Sequence, residues 1–181
     1  MKKKIKRAVK FFTNYESEEM ARYKKMITKE IAKMENKEDG YYVAALPFIE
    51  YASSLSLGHD IDLMVKVLPS GAEGEYLIGR NLITLNIDFV KKAFAEKNCI
   101  SLLNNLLDTC LHECRHAWQF ETKKFNFNNY ISSSTDFDAY YNQAIEVDAR
   151  RFALRELKIM STETKEALLR RSLSYLYYVN R

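Results

Sequence analysis

Hydrophobic and polar positions recur along this chain with two different periods, and the places where the period changes outline its organisation. Over residues 17–37, Met20, Tyr23, Ile27, Ile31 and Met34 fall on one face of a helix, and Gly40 offers a stop. Pro47 is placed to open a short helix through Phe48, Ile49, Tyr51, Ala52 and Leu55, ended by Gly58. The period then shortens to two. Residues 62–68 alternate and end at Pro69-Ser70-Gly71, while residues 75–78 and 82–86 flank Gly79-Arg80-Asn81, a tight-hairpin signal. Three such strands make an antiparallel sheet the economical arrangement. A short helix capped by Asp88 is predicted to follow, running to Lys97 and leading through Asn98 into the next element.

Helical spacing returns over residues 101–121, which contain neither Gly nor Pro. Leu102, Leu103, Leu106, Leu107, Cys110, Leu111, Cys114, Ala117 and Trp118 form a broad apolar stripe, as expected of a helix through the middle of a domain. Thr109, His112, Glu113 and His116 share a different face. Residues 123–138 are polar and read as a loop, residues 140–160 as a further helix, and a last helix capped by Ser161 or Thr162 runs through Leu168, Leu169, Leu173, Leu176 and Tyr177. Helices, a small sheet and helices again predict an α+β fold in a single domain. Within residues 1–181, residues 1–58 read as an N-terminal helical cap, 59–160 as a catalytic core and 161–181 as a C-terminal helix.

The polar face of the central helix carries the chemistry. In His112-Glu113-Cys114-Arg115-His116, the histidines stand one turn apart, so two imidazoles can meet one Zn²⁺. Glu113 is one residue round from His112, within reach of a metal-bound water without being a ligand itself. Catalytic zinc needs a third protein ligand and an open position. Gln119 and Thr122 stand where a longer histidine motif would place Gly and His, and His59, in a Gly-His-Asp turn, reads as an exposed loop residue. The carboxylates of Glu146-Val147-Asp148-Ala149-Arg150-Arg151-Phe152-Ala153 are better placed. Glu146 shares its face with Ala149, Arg150 and Ala153, and the two alanines would allow close approach to the motif helix. Asp148 lies about 200° round the helix, so the two carboxylates are alternatives; Glu146 is the stronger. Thr109, Asp108 and Gln119 are all candidates for orienting the histidines.

Composition narrows the setting. With 181 residues the chain can bury one real core, and its 5 Gly and 2 Pro favour helices over a many-turned β fold. Its 3 cysteines (Cys99, Cys110, Cys114) are odd in number and form no CxxC pair, which predicts reduced thiols in a cytosolic protein. Cys114 belongs to the apolar stripe and reads as core. The net charge of +4 owes much to Lys2, Lys3, Lys4, Lys6 and Arg7. That start resembles the charged end of a signal peptide, but no adequate apolar region follows it and no run approaches a membrane span. The expectation is a cytoplasmic protein with no membrane partner. Few aromatics interleave with the basic cluster, so it reads as a solvated helix start and not a nucleic-acid contact.

Together, HECRHAWQF and the later EVDARRFA resemble the gluzincin-type peptidases of the ImmA/IrrE class, compact bacterial and mobile-element proteins with HExxH and a later E-x-[ED]-A-N-x-F-A helix. Residues 83–86 also resemble the sheet edge that runs beside the site in such proteins. The resemblance spans about residues 60–158 and implies a zincin-like fold, Zn²⁺ as cofactor, and Glu146 as third ligand beside His112 and His116. It implies hydrolysis of a peptide bond in a cytosolic protein or peptide, such as a transcriptional repressor of a mobile element, with Glu113 as general base. A tyrosine often stabilises the oxyanion in related peptidases, which makes Tyr140 and Tyr141 candidates. Arg150 departs from the family's Asn, and no helix-turn-helix domain accompanies the motifs. The alternative is a non-proteolytic zincin-like module that acts by binding a partner; the intact Glu113 speaks against it.

Overall fold

A computed structural model describes residues 16–95 and 100–181. The basic cluster at residues 2–7, Asn98 and Cys99 lie outside the described residues. Helix α1 (Glu18–Lys33) is capped by Ser17, whose hydroxyl accepts from the Met20 amide at 3.1 Å. Helix α2 (Lys37–Ser56) follows after a short break, capped by Asn36.

The break and the second helix differ from what the local signals predict. Gly40 does not stop α1; it lies in the first turn of α2. A Cβ there would sit 2.8 Å from Met34 Sδ and 3.0 Å from Ile31 Cγ2, so glycine is needed for the close approach of the two helices. Pro47 lies inside α2, which removes an intrahelical hydrogen bond. The loss is offset by burial: Val43, Ala44, Ala45, Phe48, Ile49 and Ala52 are all in the core, so α2 is apolar around most of its circumference.

Strands β1 (Asp62–Lys66), β2 (Gly74–Leu77) and β3 (Leu82–Asn86) form a sheet of order β1-β3-β2. β2 and β3 make the expected antiparallel hairpin, with Gly79 and Asn81 both at positive φ in its turn. β1, however, pairs with β3 in parallel, Asp62 opposite Leu82 and Lys66 opposite Asn86. The sheet is therefore mixed, not antiparallel. Ile83, Thr84 and Leu85 are fully buried and hold β3 at the centre, whereas β1 and β2 are less buried and take the edges. Residues 67–81, including β2, supply the crossover that a parallel pair requires.

Helix α3 (Ile87–Ala95) starts one residue earlier than predicted, and its first turn is capped by Asn86, which accepts from the Asp88 amide at 3.1 Å. Helix α4 (Ile100–Glu121) carries the histidines through the middle of the domain: Leu103, Leu106, Leu107, Cys110, Leu111, Cys114 and Ala117 are fully buried. A 3₁₀ turn (Phe127–Asn129) interrupts the loop that follows. The predicted helix over residues 140–160 is in fact two, α5 (Phe137–Asn142) and α6 (Ala144–Ile159), separated at an extended Gln143. Helix α7 (Thr162–Val179), capped by Ser161, packs against α1 and α2. α4 packs most extensively on α6 and next on α2, and residues of α1–α4, α6 and α7 share one hydrophobic cluster. The result is a mostly helical α+β fold around a small sheet. Among the described residues no helix is long and apolar enough to cross a membrane.

Candidate metal centre

Two helices deliver three side chains to one point. His112 and His116 lie a turn apart on α4, and Glu146 lies in the first turn of α6. The two histidine Nε2 atoms are 2.9 Å apart, and each is 3.2 Å from a different oxygen of the Glu146 carboxylate. Four-coordinate zinc with bonds of about 2.0–2.1 Å spaces its ligand atoms about 3.3 Å apart, and each of these separations is near that spacing, the two contacts to Glu146 ending on different oxygens. The donor set, two imidazoles and a carboxylate, can hold a metal ion.

The surroundings hold the Glu146 carboxyl in its ionised, ligating form. Glu146 is fully buried, and burial alone would raise its pKa. Hydrogen bonds and charge from the facing His112 and His116 outweigh that and hold the carboxyl well below the usual range. The Tyr130 hydroxyl donates to Glu146 Oε1 at 2.8 Å, and the Arg150 guanidinium lies 3.5 Å from Oε2. His116 Nδ1 is 2.8 Å from Gln119 Oε1. Ala149 and Ala153 are fully buried where α6 meets its neighbours, in keeping with the close approach that small residues permit.

The two carboxylates of α6 separate cleanly. Asp148 points away from the histidines, taking two hydrogen bonds from Arg115, at 2.7 and 3.3 Å, and one from Gln119 at 2.9 Å. Burial pushes its pKa up, but Arg115 and Gln119 bring it down to about 2. Glu146 alone of the pair faces the histidines.

Glu113 is buried on the helix between the two histidines and lines the same cleft of about 280 Å³. The cleft is completed by Gly74, Glu75 and Tyr76 of β2 and by the rings of Phe127, Tyr130 and Tyr140. At Gly74 the strand presses on α4, for a Cβ would stand 2.7 Å from Thr109 Cγ2 and 3.3 Å from Glu113 Cγ. Because the Asn86 amide donates to the Glu73 carbonyl, the antiparallel alternation directs the backbone groups of Gly74 and Tyr76 outward, away from β3. Among the described residues no further strand pairs with β2, which is thus a sheet edge bordering the cleft.

Of the two candidate tyrosines, the structure brings only Tyr140 to the cleft. Tyr141 is exposed, with the Arg150 guanidinium 3.8 Å over its ring. Tyr130 occupies the place beside Glu146 and was not predicted; it sits in a polar loop with no periodicity to single it out. Burial and the neighbouring Glu146 raise the hydroxyl pKa of both Tyr130 and Tyr140, keeping them protonated donors. His59 is exposed, 3.1 Å from Glu121 Oε2, and takes no part in the site. Cys110 and Cys114 are buried and free, and burial pushes both thiols up, so neither offers a thiolate to a metal. Thr109 donates to Glu73 at 3.2 Å and not to a histidine, and burial raises the Asp108 carboxyl.

No family model matches the chain, and neither does any curated protein or solved structure. The chemistry of the site therefore stands on its own residues.

Proposed function

We propose that the protein is a zinc-dependent metallopeptidase of zincin type, with His112, His116 and Glu146 as metal ligands and Glu113 as general base. The observation that carries this is the convergence of three ligand atoms within 4.8 Å of one another at the floor of a cleft that Glu113 also lines. Zinc bound there would bring the pKa of its water toward neutrality and polarise the scissile carbonyl. Glu113 takes the proton of the attacking water and passes it to the leaving amine. Tyr140 supplies a hydroxyl donor toward oxygen charge that develops on the carbonyl, while the Tyr130 hydroxyl stays with Glu146. An extended peptide adds to the outward edge of β2, where Gly74 and Tyr76 offer unpaired backbone groups, and its side chains meet the rings of Phe127 and Tyr140. By resemblance, the substrate is a specific cytosolic protein, such as a transcriptional repressor of a mobile element, and not protein in general.

Elemental analysis of the purified protein, with a peptide-library cleavage assay on the wild type and Glu113→Gln, tests the proposal. One zinc per chain, cleavage by the wild type and loss of cleavage by the zinc-loaded variant are expected. Failure to take up zinc, or cleavage by Glu113→Gln at the wild-type rate, overturns it. Zinc uptake with no cleavage of any peptide or candidate repressor would favour a binding module.

A further inference from the structure

Gln119 is fully buried, and its amide can point only one way. Its Nε2 lies 2.9 Å from the Ile145 carbonyl oxygen and 2.9 Å from Asp148 Oδ2. Both neighbours are acceptors, a backbone carbonyl and a carboxylate paired with Arg115. The flipped amide would set Oε1 against two oxygens, a backbone carbonyl and a carboxylate, so both amide hydrogens are committed to these two partners. Oε1 is then left facing His116 Nδ1 at 2.8 Å, and an amide oxygen only accepts. Nδ1 must carry the hydrogen. Only as an imidazolium does His116 carry a second hydrogen, on Nε2 toward Glu146; the neutral ring leaves Nε2 bare, facing His112 and Glu146.

We propose that Gln119, locked in orientation by Ile145 and Asp148, holds His116 in the Nδ1–H tautomer and so presets its Nε2 lone pair for the metal. Arg115, Asp148 and Gln119 are positioning residues for this ligand. The relay begins near the surface, where Lys124 also approaches Asp148 Oδ1 at 3.5 Å, and Arg115 is braced 3.6 Å over the Trp118 ring. It gives Asp148 a role different from the ligand role open to it on sequence grounds: it acts on the metal site through Gln119. The inference rests on the metal-binding half of the proposed function and does not depend on cleavage.

Long-range ¹H–¹⁵N correlation spectra of the ¹⁵N-labelled, metal-free full chain at about pH 9, where free imidazoles are neutral, read the tautomer directly. Zinc affinity is read separately by competition with a chromophoric chelator. In the wild type His116 is expected as the Nδ1–H form. Gln119→Leu should move it toward the Nε2–H form and weaken zinc binding by about 10–100-fold. Asp148→Asn, a milder change that still offers one acceptor, should shift both readouts less and in the same direction, and it decides the matter if Gln119→Leu does not fold. A wild-type His116 in the Nε2–H form overturns the proposal, as do folded variants with wild-type tautomer and affinity. Because the tautomer is read without metal or substrate, this outcome is distinguishable from that of the peptidase test.

Discussion

Gly74→Ala is the substitution whose effect follows most directly from the geometry. The new Cβ would lie 2.7 Å from Thr109 Cγ2, and 3.3 Å from both Glu113 Cγ and Leu85 Cδ2. Thr109 is β-branched, its χ1 is stiff, and its hydroxyl is engaged with Glu73, so it does not swing aside at little cost. The strand must instead retreat from α4. Overpacking of this kind costs about 1–3 kcal/mol. Gly74 has no positive φ, so alanine fits the backbone and returns about 0.4–1 kcal/mol through the unfolded chain. The net destabilisation then spans about 0–2.6 kcal/mol, and the middle of both ranges puts it at about 1.3 kcal/mol, a fall in Tm of about 3–5 °C for a chain of this size. Thr109→Ser removes the clashing methyl while keeping the hydroxyl, and alone should cost about 0.5–1.5 kcal/mol. Combined with Gly74→Ala it should recover most of the loss, a coupling of about 1 kcal/mol or more in a double-mutant cycle by denaturant unfolding. Zinc affinity should hold near wild type in all three variants, because Gly74 touches none of the ligands. Additive behaviour of Gly74→Ala and Thr109→Ser within about 0.5 kcal/mol would refute the packing of β2 on the motif helix.

Other expectations follow from the same coordinates. Saturating zinc, at about 100 times Kd, should stabilise the wild type by about 2.7 kcal/mol, seen as a rise in Tm that chelation reverses and that His112→Ala abolishes. Glu113→Gln should retain zinc in an elemental assay yet lose about 10²–10⁴ in turnover on any cleaved peptide. Tyr130→Phe removes one hydrogen bond from the buried Glu146 carboxylate and should weaken zinc binding by about tenfold in chelator competition, since such a bond is worth about 1.5–3 kcal/mol with part recovered by relaxation. Tyr141→Phe, away from the cleft, should leave affinity and turnover unchanged.

Features set by a single helical period were legible from sequence, and features set by what packs against what were not. The i, i+4 spacing of His112 and His116 fixes their shared face wherever the helix lies, and the same period put Glu146 on the face of Ala149 and Ala153. Sheet order has no such local signature. β1 reads as an alternating strand whether it pairs with β2 or runs parallel to β3; what decides is the burial of Ile83, Thr84 and Leu85, which puts β3 in the middle. Gly40 and Pro47 were misplaced for the same reason, because a close contact with Met34 and burial in the core override their usual meaning as helix punctuation. The break at Gln143 has neither Gly nor Pro to announce it. Its amide instead holds the backbone of Ile131, accepting from the amide at 3.2 Å and donating to the carbonyl at 2.8 Å.

That last contact separates two halves of the site. His112, His116 and Glu146, which could hold a metal ion, stand on α4 and α6, long helices packed along each other in the core, and their mutual geometry is held by regular backbone bonding and burial. Phe127, Tyr130 and Tyr140 come from residues 123–142, secured by the Gln143 clasp, by ring contacts such as Tyr130 on Tyr140 with centroids 6.3 Å apart, and by short turns. Rigid helices suit His112, His116 and Glu146, since a donor set whose ligand atoms lie within 4.8 Å of one another tolerates little displacement. A loop suits the aromatic lining, because side chains that meet a substrate can change without disturbing the ligands beneath them. Of the bonds that cross between the halves, Lys124 to Asp148 and Arg150 to the Tyr141 carbonyl lie at the rim, whereas Tyr130 to Glu146 couples the loop bordering the cleft to the carboxylate held most deeply in the core.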